Sequence, residues 1–146
     1  MASSDDKPET ITGGCVCDSV RYTVTFPRDH DFANSCEQCR KNTGSLILRA
    51  HKVPKSAVDF TARSTLKLYS ATPHFERGFC SNCGSLLFWQ RDDRDYTHLM
   101  VGCFDSPVLA RYGPLLTAAR RHLFCEREVP GVTDHLVGDR FTRDDE

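Results

Sequence analysis

The chain has 146 residues, 19 basic and 20 acidic, for a formal charge of −1. One domain of this length buries about 68–70% of its unfolded surface, so a true core is available. The near balance of charge gives no electrostatic reason to expect nucleic acid or an anionic membrane as partner, and no apolar run approaches spanning length.

Met1 to Thr12 is polar and acidic, with Ser3, Ser4, Asp5 and Asp6 where a secretory leader needs a basic start and an apolar run. A cytoplasmic, reducing setting follows as the expectation. Residues 1–10 and 136–146 are too polar to order themselves by burial and read as tails flanking a single domain over 11–135. Val20 to Phe26 alternates apolar with polar side chains, is rich in β-branched residues, and stops at Pro27. That is the pattern of a half-buried strand. Further strands are predicted at Leu46 to Ala50, Leu66 to Tyr69, Leu86 to Gln90, His98 to Phe104 and His122 to Glu126. Breakers such as Pro54, Pro73-His74, Asp92-Asp93 and Asp105-Ser106-Pro107 separate them, which is the rhythm of an antiparallel, mainly β domain. Helix is expected only in a turn after Cys39 and over Leu115 to Arg121.

Cysteine spacing carries the chemistry. Cys15-Val-Cys17 and Cys80-Ser-Asn-Cys83 are two short thiol pairs more than sixty residues apart. Together they can close one tetrathiolate zinc site, each tight turn supplying two soft ligands. The alternative is disulfides or buried thiols, but a bridge within either pair closes too small a loop to add much stability. Between them lies Cys36-Glu-Gln-Cys39, followed by Arg40 and Lys41. Two thiolates do not complete a structural zinc site, so this pair either borrows ligands or leaves a position open, as a catalytic metal requires. A reversible disulfide, a redox pair and two ordinary thiols remain alternatives. Cys103 and Cys125 read as buried hydrophobes, and the six histidines show no metal-ligand spacing among themselves. His30 and His51 flank the Cys36 segment most closely and are the first candidates for a further ligand.

These residues carry a resemblance. Gly13-Gly14-Cys15-Val-Cys17 with Val20-Arg21-Tyr22, then Cys36-x2-Cys39-Arg40-Lys41, then Arg77-Gly-Phe-Cys80-x2-Cys83-Gly84-Ser85-x-Leu87-Phe88, then Val101-Gly102-x-Phe104-Asp105, and finally His122-Leu-Phe124 resemble the glutathione-dependent formaldehyde-activating enzymes. That family shares its domain with centromere protein V, and the resemblance covers about residues 11 to 130. It implies an Mss4-like fold of packed antiparallel β-sheets, a structural zinc on Cys15, Cys17, Cys80 and Cys83, and a second zinc near the substrate. It also implies a carbon–sulfur lyase-type reaction that joins glutathione to formaldehyde when run in reverse.

The family's second site reads Cys-His-Cys-x2-Cys, whereas this chain has Asn34-Ser35-Cys36-x2-Cys39. An amide oxygen is a hard, neutral, weak ligand for zinc, so Asn34 weakens the metal site that Cys36 and Cys39 would share. Arg40 and Lys41 could hold a carboxylate of glutathione or of another acidic substrate, the first bidentately and the second as a point charge, with a solvated loop surface as the alternative. Three functions follow: a lyase acting on a glutathione or related thiol adduct; an enzyme of altered chemistry, such as an isomerase, cyclase or dehydratase; and a zinc-stabilised interaction module without catalysis.

Overall fold

The computed structural model describes residues 7–26, the backbone of 34–37, and residues 40–143. Eleven strands and two α-helices appear among them: β1 (Thr10–Gly14), β2 (Arg21–Thr25), β3 (Asn34–Glu37), α1 (Arg40–Thr43), β4 (Leu48–Pro54), β5 (Val58–Ala62), β6 (Leu66–Thr72), β7 (Phe75–Cys80), β8 (Leu86–Arg91), β9 (Tyr96–Met100), α2 (Ser106–Thr117), β10 (Ala119–Leu123) and β11 (Asp139–Arg140). A three-stranded sheet of order β1-β2-β5 packs on an eight-stranded sheet of order β11-β10-β3-β4-β9-β8-β7-β6. The expected mainly antiparallel β architecture is the one observed. The departure is β10, which pairs in parallel with both β3 and β11.

Alternation in β2 does what the pattern requires: Tyr22 and Val24 are buried while Arg21, Thr23 and Thr25 are not. With Ile11, Val20 and Phe26 they meet Val53, Leu87, Phe88, Leu99 and Phe104 of the large sheet and its connections, and this is the main core. A smaller cluster of Leu48, Ala50, Trp89 and Met100 forms separately from it. Gly78 admits the main core's closest approach, because a Cβ there would fall 2.2 Å from the Phe88 ring. The large sheet can therefore seat an aromatic ring directly on the β7 backbone.

The helix expected at Leu115 to Arg121 begins nine residues earlier. Asp105 is extended, with φ −63° and ψ 147°, and Pro107 falls in the first helical turn, where its missing N–H costs nothing. What reads as a breaker in sequence is thus a helix start, and Ala119 onward belongs to β10. The Asp105 carboxylate does not cap the helix. It accepts from Arg21 Nη1 at 2.8 Å and from Thr12 Oγ1 at 2.5 Å, joining the start of α2 to both β1 and β2. These bonds hold its carboxyl below the usual carboxylate range, the Arg21 hydrogen bond being the larger cause.

His98 to Phe104, read as one strand, divides at Met100, after which Val101–Cys103 is a 3-10 turn. The strand expected over His122 to Glu126 ends at Leu123, because Phe124 is left-handed at φ 56°. β1, β3, β5, β7 and β11 were not anticipated, being short or interrupted by glycine and charge. After Leu136, in the stretch read as a polar tail, Phe141 N–H donates to the His122 carbonyl at 2.8 Å and Phe124 N–H to that of Arg143 at 2.9 Å.

His98 lies flat on Trp89, ring centroids 3.8 Å apart and planes within 6°, with Tyr96 edge-on at 5.5 Å. Burial, aided by the charges of Lys52 and Arg121, pushes its imidazole down to about 3. The unfolded chain, with a histidine near 6.5, binds this proton first, so stability is fully present above about pH 6.5 and falls as pH drops toward about 3. The expected slope is about 1.4 kcal/mol per pH unit within that window. Urea unfolding of the natural chain and of His98→Phe at pH 7, 6 and 5 should show the variant losing less stability with acid; parallel slopes would refute the assignment.

Candidate metal centre

Cys15 and Cys17 lie in the turn joining β1 to β2; Cys80 ends β7 and Cys83 sits in the turn to β8. The fold brings the two turns together, so that all four Sγ atoms lie within 4.8 Å of one another. Cys15 and Cys17 are 3.5 Å apart, and Cys17 and Cys80 3.8 Å. A tetrahedron with metal–sulfur bonds of about 2.3 Å has sulfur–sulfur edges of about 3.8 Å, so these residues fit a zinc ion. A disulfide needs about 2.05 Å, and all described cysteines are free.

Each sulfur has its own polar neighbour. Val20 N–H donates to Cys15 Sγ at 3.2 Å, and Asn82 Nδ2 to Cys17 Sγ at 3.3 Å. The hydroxyls of Thr65 and Ser85 lie 3.2 Å from Cys80 and Cys83 respectively. Hydrogen bonds from Ser85 bring the Cys83 thiol down to about 5, and those from Ser19 and Asn82 bring Cys17 down to about 7, while burial pushes Cys15 up. Donors aimed at sulfur stabilise the thiolate a metal requires, as outer-shell partners of metal ligands do.

The loop backbone is tied in parallel. Gly84 N–H donates to the Cys80 carbonyl at 2.8 Å, Cys80 N–H to that of Ser85 at 3.0 Å, and Ser81 N–H to that of Thr65 at 2.8 Å. Gly84 takes φ +80°, which allows the chain to turn back into β8 directly after the second cysteine of the pair.

The second cysteine pair is placed only in part. Asn34 and Cys36 lie on β3, between β10 and β4, and Cys39 falls outside the described residues, as does His30. Arg40 and Lys41 are exposed on α1. The backbone register sets Asn34 opposite His51 and Cys36 opposite both Arg49 and His122. His122 was not singled out as a ligand in the sequence. It is 1% exposed, and its Nε2 lies 2.7 Å from the Val137 carbonyl. A carbonyl only accepts, so Nε2–H donates to it, and Nδ1 has no hydrogen-bond partner among the described residues. No local spacing could have signalled this, because His122 reaches β3 only through the parallel pairing of β10. Cys103, expected as a buried hydrophobe, is partly buried, and its thiol lies 3.2 Å from the Leu86 carbonyl.

A two-sheet β domain whose sheets meet at a four-cysteine cluster of metal-binding geometry is the class that fold and site define. The chain belongs to the glutathione-dependent formaldehyde-activating enzyme family, whose profile matches residues 10–127. A Halomonas elongata protein named for that activity is 29% identical over 107 residues, covering 67% of this chain and 68% of the relative. A Penicillium rubens protein with the same name is 35% identical over 75 residues, 51% of this chain, and the match spans only 39% of that relative's length. A crystal structure of a Rhodobacter sphaeroides protein shares the fold at TM-score 0.52 and 19% identity, covering 66% of this chain and 89% of the other.

Alanine at position 84 must adopt a left-handed backbone, at a cost of about 1–2 kcal/mol. Gly84→Ala is therefore expected to lower the urea midpoint without changing the slope, and an unchanged midpoint would mean the turn relaxes freely.

Proposed function

We propose that this chain is a zinc-dependent, carbon–sulfur lyase-like enzyme acting on a glutathione or related thiol adduct, with one structural zinc and a weakened second metal site. The observation that carries this reading is the family match over 118 residues, 10 to 127, containing both the four-sulfur cluster and the Asn34 to Lys41 segment. Cys15, Cys17, Cys80 and Cys83 hold the structural ion. Cys36 and Cys39 supply two thiolates at the second site, and Asn34 an amide oxygen that binds zinc poorly. Zinc bound there would supply a Lewis acid able to favour a substrate thiolate or polarise a carbonyl. Arg40 and Lys41 hold a substrate carboxylate, their exposure leaving both accessible. His51 and His122, the buried register partners of Asn34 and Cys36, are the candidates to make good the lost thiolate.

Among the described residues no helix is long and apolar enough to cross a membrane. The unpaired thiols suit a reducing compartment such as the cytoplasm. A second reading is an isomerase, cyclase or dehydratase on the same scaffold, favoured by the loss of a family ligand at Asn34. The non-catalytic interaction module has less support, since the net charge of −1 provides no basic surface for a chromosomal partner.

Structural zinc contributes on the order of 10 kcal/mol of apparent folding free energy in small systems, as much as an ordinary domain's whole stability. Cys83→Ala, or strong chelation, should therefore eliminate most of the folded state by circular dichroism, with loss of one zinc per chain by elemental analysis. An unaltered melting temperature after verified zinc removal would count against a structural ion.

Asn34→Cys places a third soft anionic ligand beside Cys36 and Cys39. It is expected to raise zinc toward two per chain, and to raise glutathione–formaldehyde condensation by about tenfold or more, the scale of a tuned ligand environment. If the natural protein already holds two tight zincs, His122→Ala and His51→Ala should identify the substitute ligand. If Asn34→Cys gains neither metal nor activity, the altered-chemistry reading takes its place.

A further inference from the structure

Between β5 and the part of the large sheet built from β6, β8 and β9 lies a cleft of about 430 Å³, within the size range of small-molecule sites. In the large sheet β4 separates it from β3, so it is not the segment that carries Asn34 and Cys36. Phe60 and Val58 of β5 form one wall, and Leu68, Phe88 and Leu99 the other. The Phe60 and Phe88 rings stand 5.9 Å apart and tilted at 55°. Phe88 is held in place from behind by the bare Cα of Gly78. The apolar interior is thus pre-formed, yet Leu68 keeps 52% of its surface in water, which leaves apolar area for a ligand to cover.

The polar groups are distributed with a sign. Lys55, Gln90 and Thr97 contribute to the lining beside Val58 and Leu99, and Arg63 contributes from the residue after β5. Lys55 is fixed by its Nζ donating to the Arg91 carbonyl at 2.7 Å and its backbone N–H to the Asp95 carbonyl at 2.8 Å. An ammonium has three protons, so two remain for a ligand. The Arg63 guanidinium lies over the Phe60 ring, 5.5 Å from its centroid. Among the described lining residues there is no carboxylate. The neighbouring Glu76 is engaged by Gln90 Nε2 at 2.9 Å. Two cations around an apolar interior disfavour a cationic guest and favour an anion, whose body gains from burial while its charge meets Lys55 at the edge.

We propose that this cleft binds an organic carboxylate with an apolar body, of the size of a medium-chain or single-ring acid, with its charged head at Lys55 and its body between Phe60 and Phe88. The site is independent of the chemistry assigned to β3, and neither proposal needs the other.

Calorimetric titration of the zinc-loaded natural protein with octanoate and with uncharged octanamide tests it. Octanoate is expected to bind one per chain with a Kd below about 1 mM, and octanamide more weakly by up to about fivefold, the upper end for one solvent-edge ion pair. Lys55→Met should weaken octanoate by a similar factor while leaving octanamide unchanged. Should Lys55→Met lower the melting temperature through its lost bond to Arg91, Lys55→Gln, which keeps a donor for that carbonyl without the charge, serves as the second variant, with the same selective loss expected. Absence of octanoate binding at about 10 mM, equal affinity for acid and amide, or full octanoate affinity in a folded Lys55→Met or Lys55→Gln protein would each overturn the proposal.

Discussion

The meeting of four sulfurs is the constraint on which the architecture depends. Cys15 and Cys17 belong to the small sheet's first turn, and Cys80 and Cys83 to a turn of the large sheet, so the cluster links the two layers at one end of their shared core. The three-stranded sheet of five-residue strands has one apolar face to bury, and the large sheet supplies the layer that covers it. Pinned at the sulfur cluster and again where Asp105 holds Arg21 and Thr12, it has two polar anchors outside the core. Between those anchors Ile11, Tyr22 and Val24 supply the apolar contact.

The sulfur environment shows how a chain prepares a site for a soft cation. Four sulfurs brought within 4.8 Å of one another match a tetrahedral soft cation in number and geometry. Val20 N–H and Asn82 Nδ2 donate to two of them, and the hydroxyls of Thr65 and Ser85 lie within hydrogen-bond distance of the other two. Those contacts orient the sulfurs, so the cost of assembling the cluster is met partly by ordinary hydrogen bonds.

The candidate reactive segment is built on different terms. β3 lies inside the large sheet, and its neighbours β4 and β10 come from opposite ends of the domain sequence. That placement sets His51, Arg49 and His122 beside Asn34 and Cys36 in register. The residues that face this segment thus include one nearly ninety positions away, which no local motif contains. Fold and chemistry are separable here: the sulfur cluster is complete whatever β3 does.

The mainly β class, the strand at Val20 to Phe26 and the grouping of two short cysteine pairs into one cluster were legible in the sequence, because alternation and short thiol spacing are local properties of the chain. The α2 start was misread because Asp105-Ser106-Pro107 signals a break and a helix start with the same residues, and only the following packing of Leu116 into the core distinguishes them. β1, β3 and β7 escaped notice because glycines and charges interrupt their patterns and their partners are remote. The parallel pairing of β10 with β3, the placement of His122 opposite Cys36, and the cationic cleft over Phe60 and Phe88 were decided by tertiary structure alone. Each depends on residues brought together across dozens of positions by sheet order, and no local periodicity encodes which strand lies beside which.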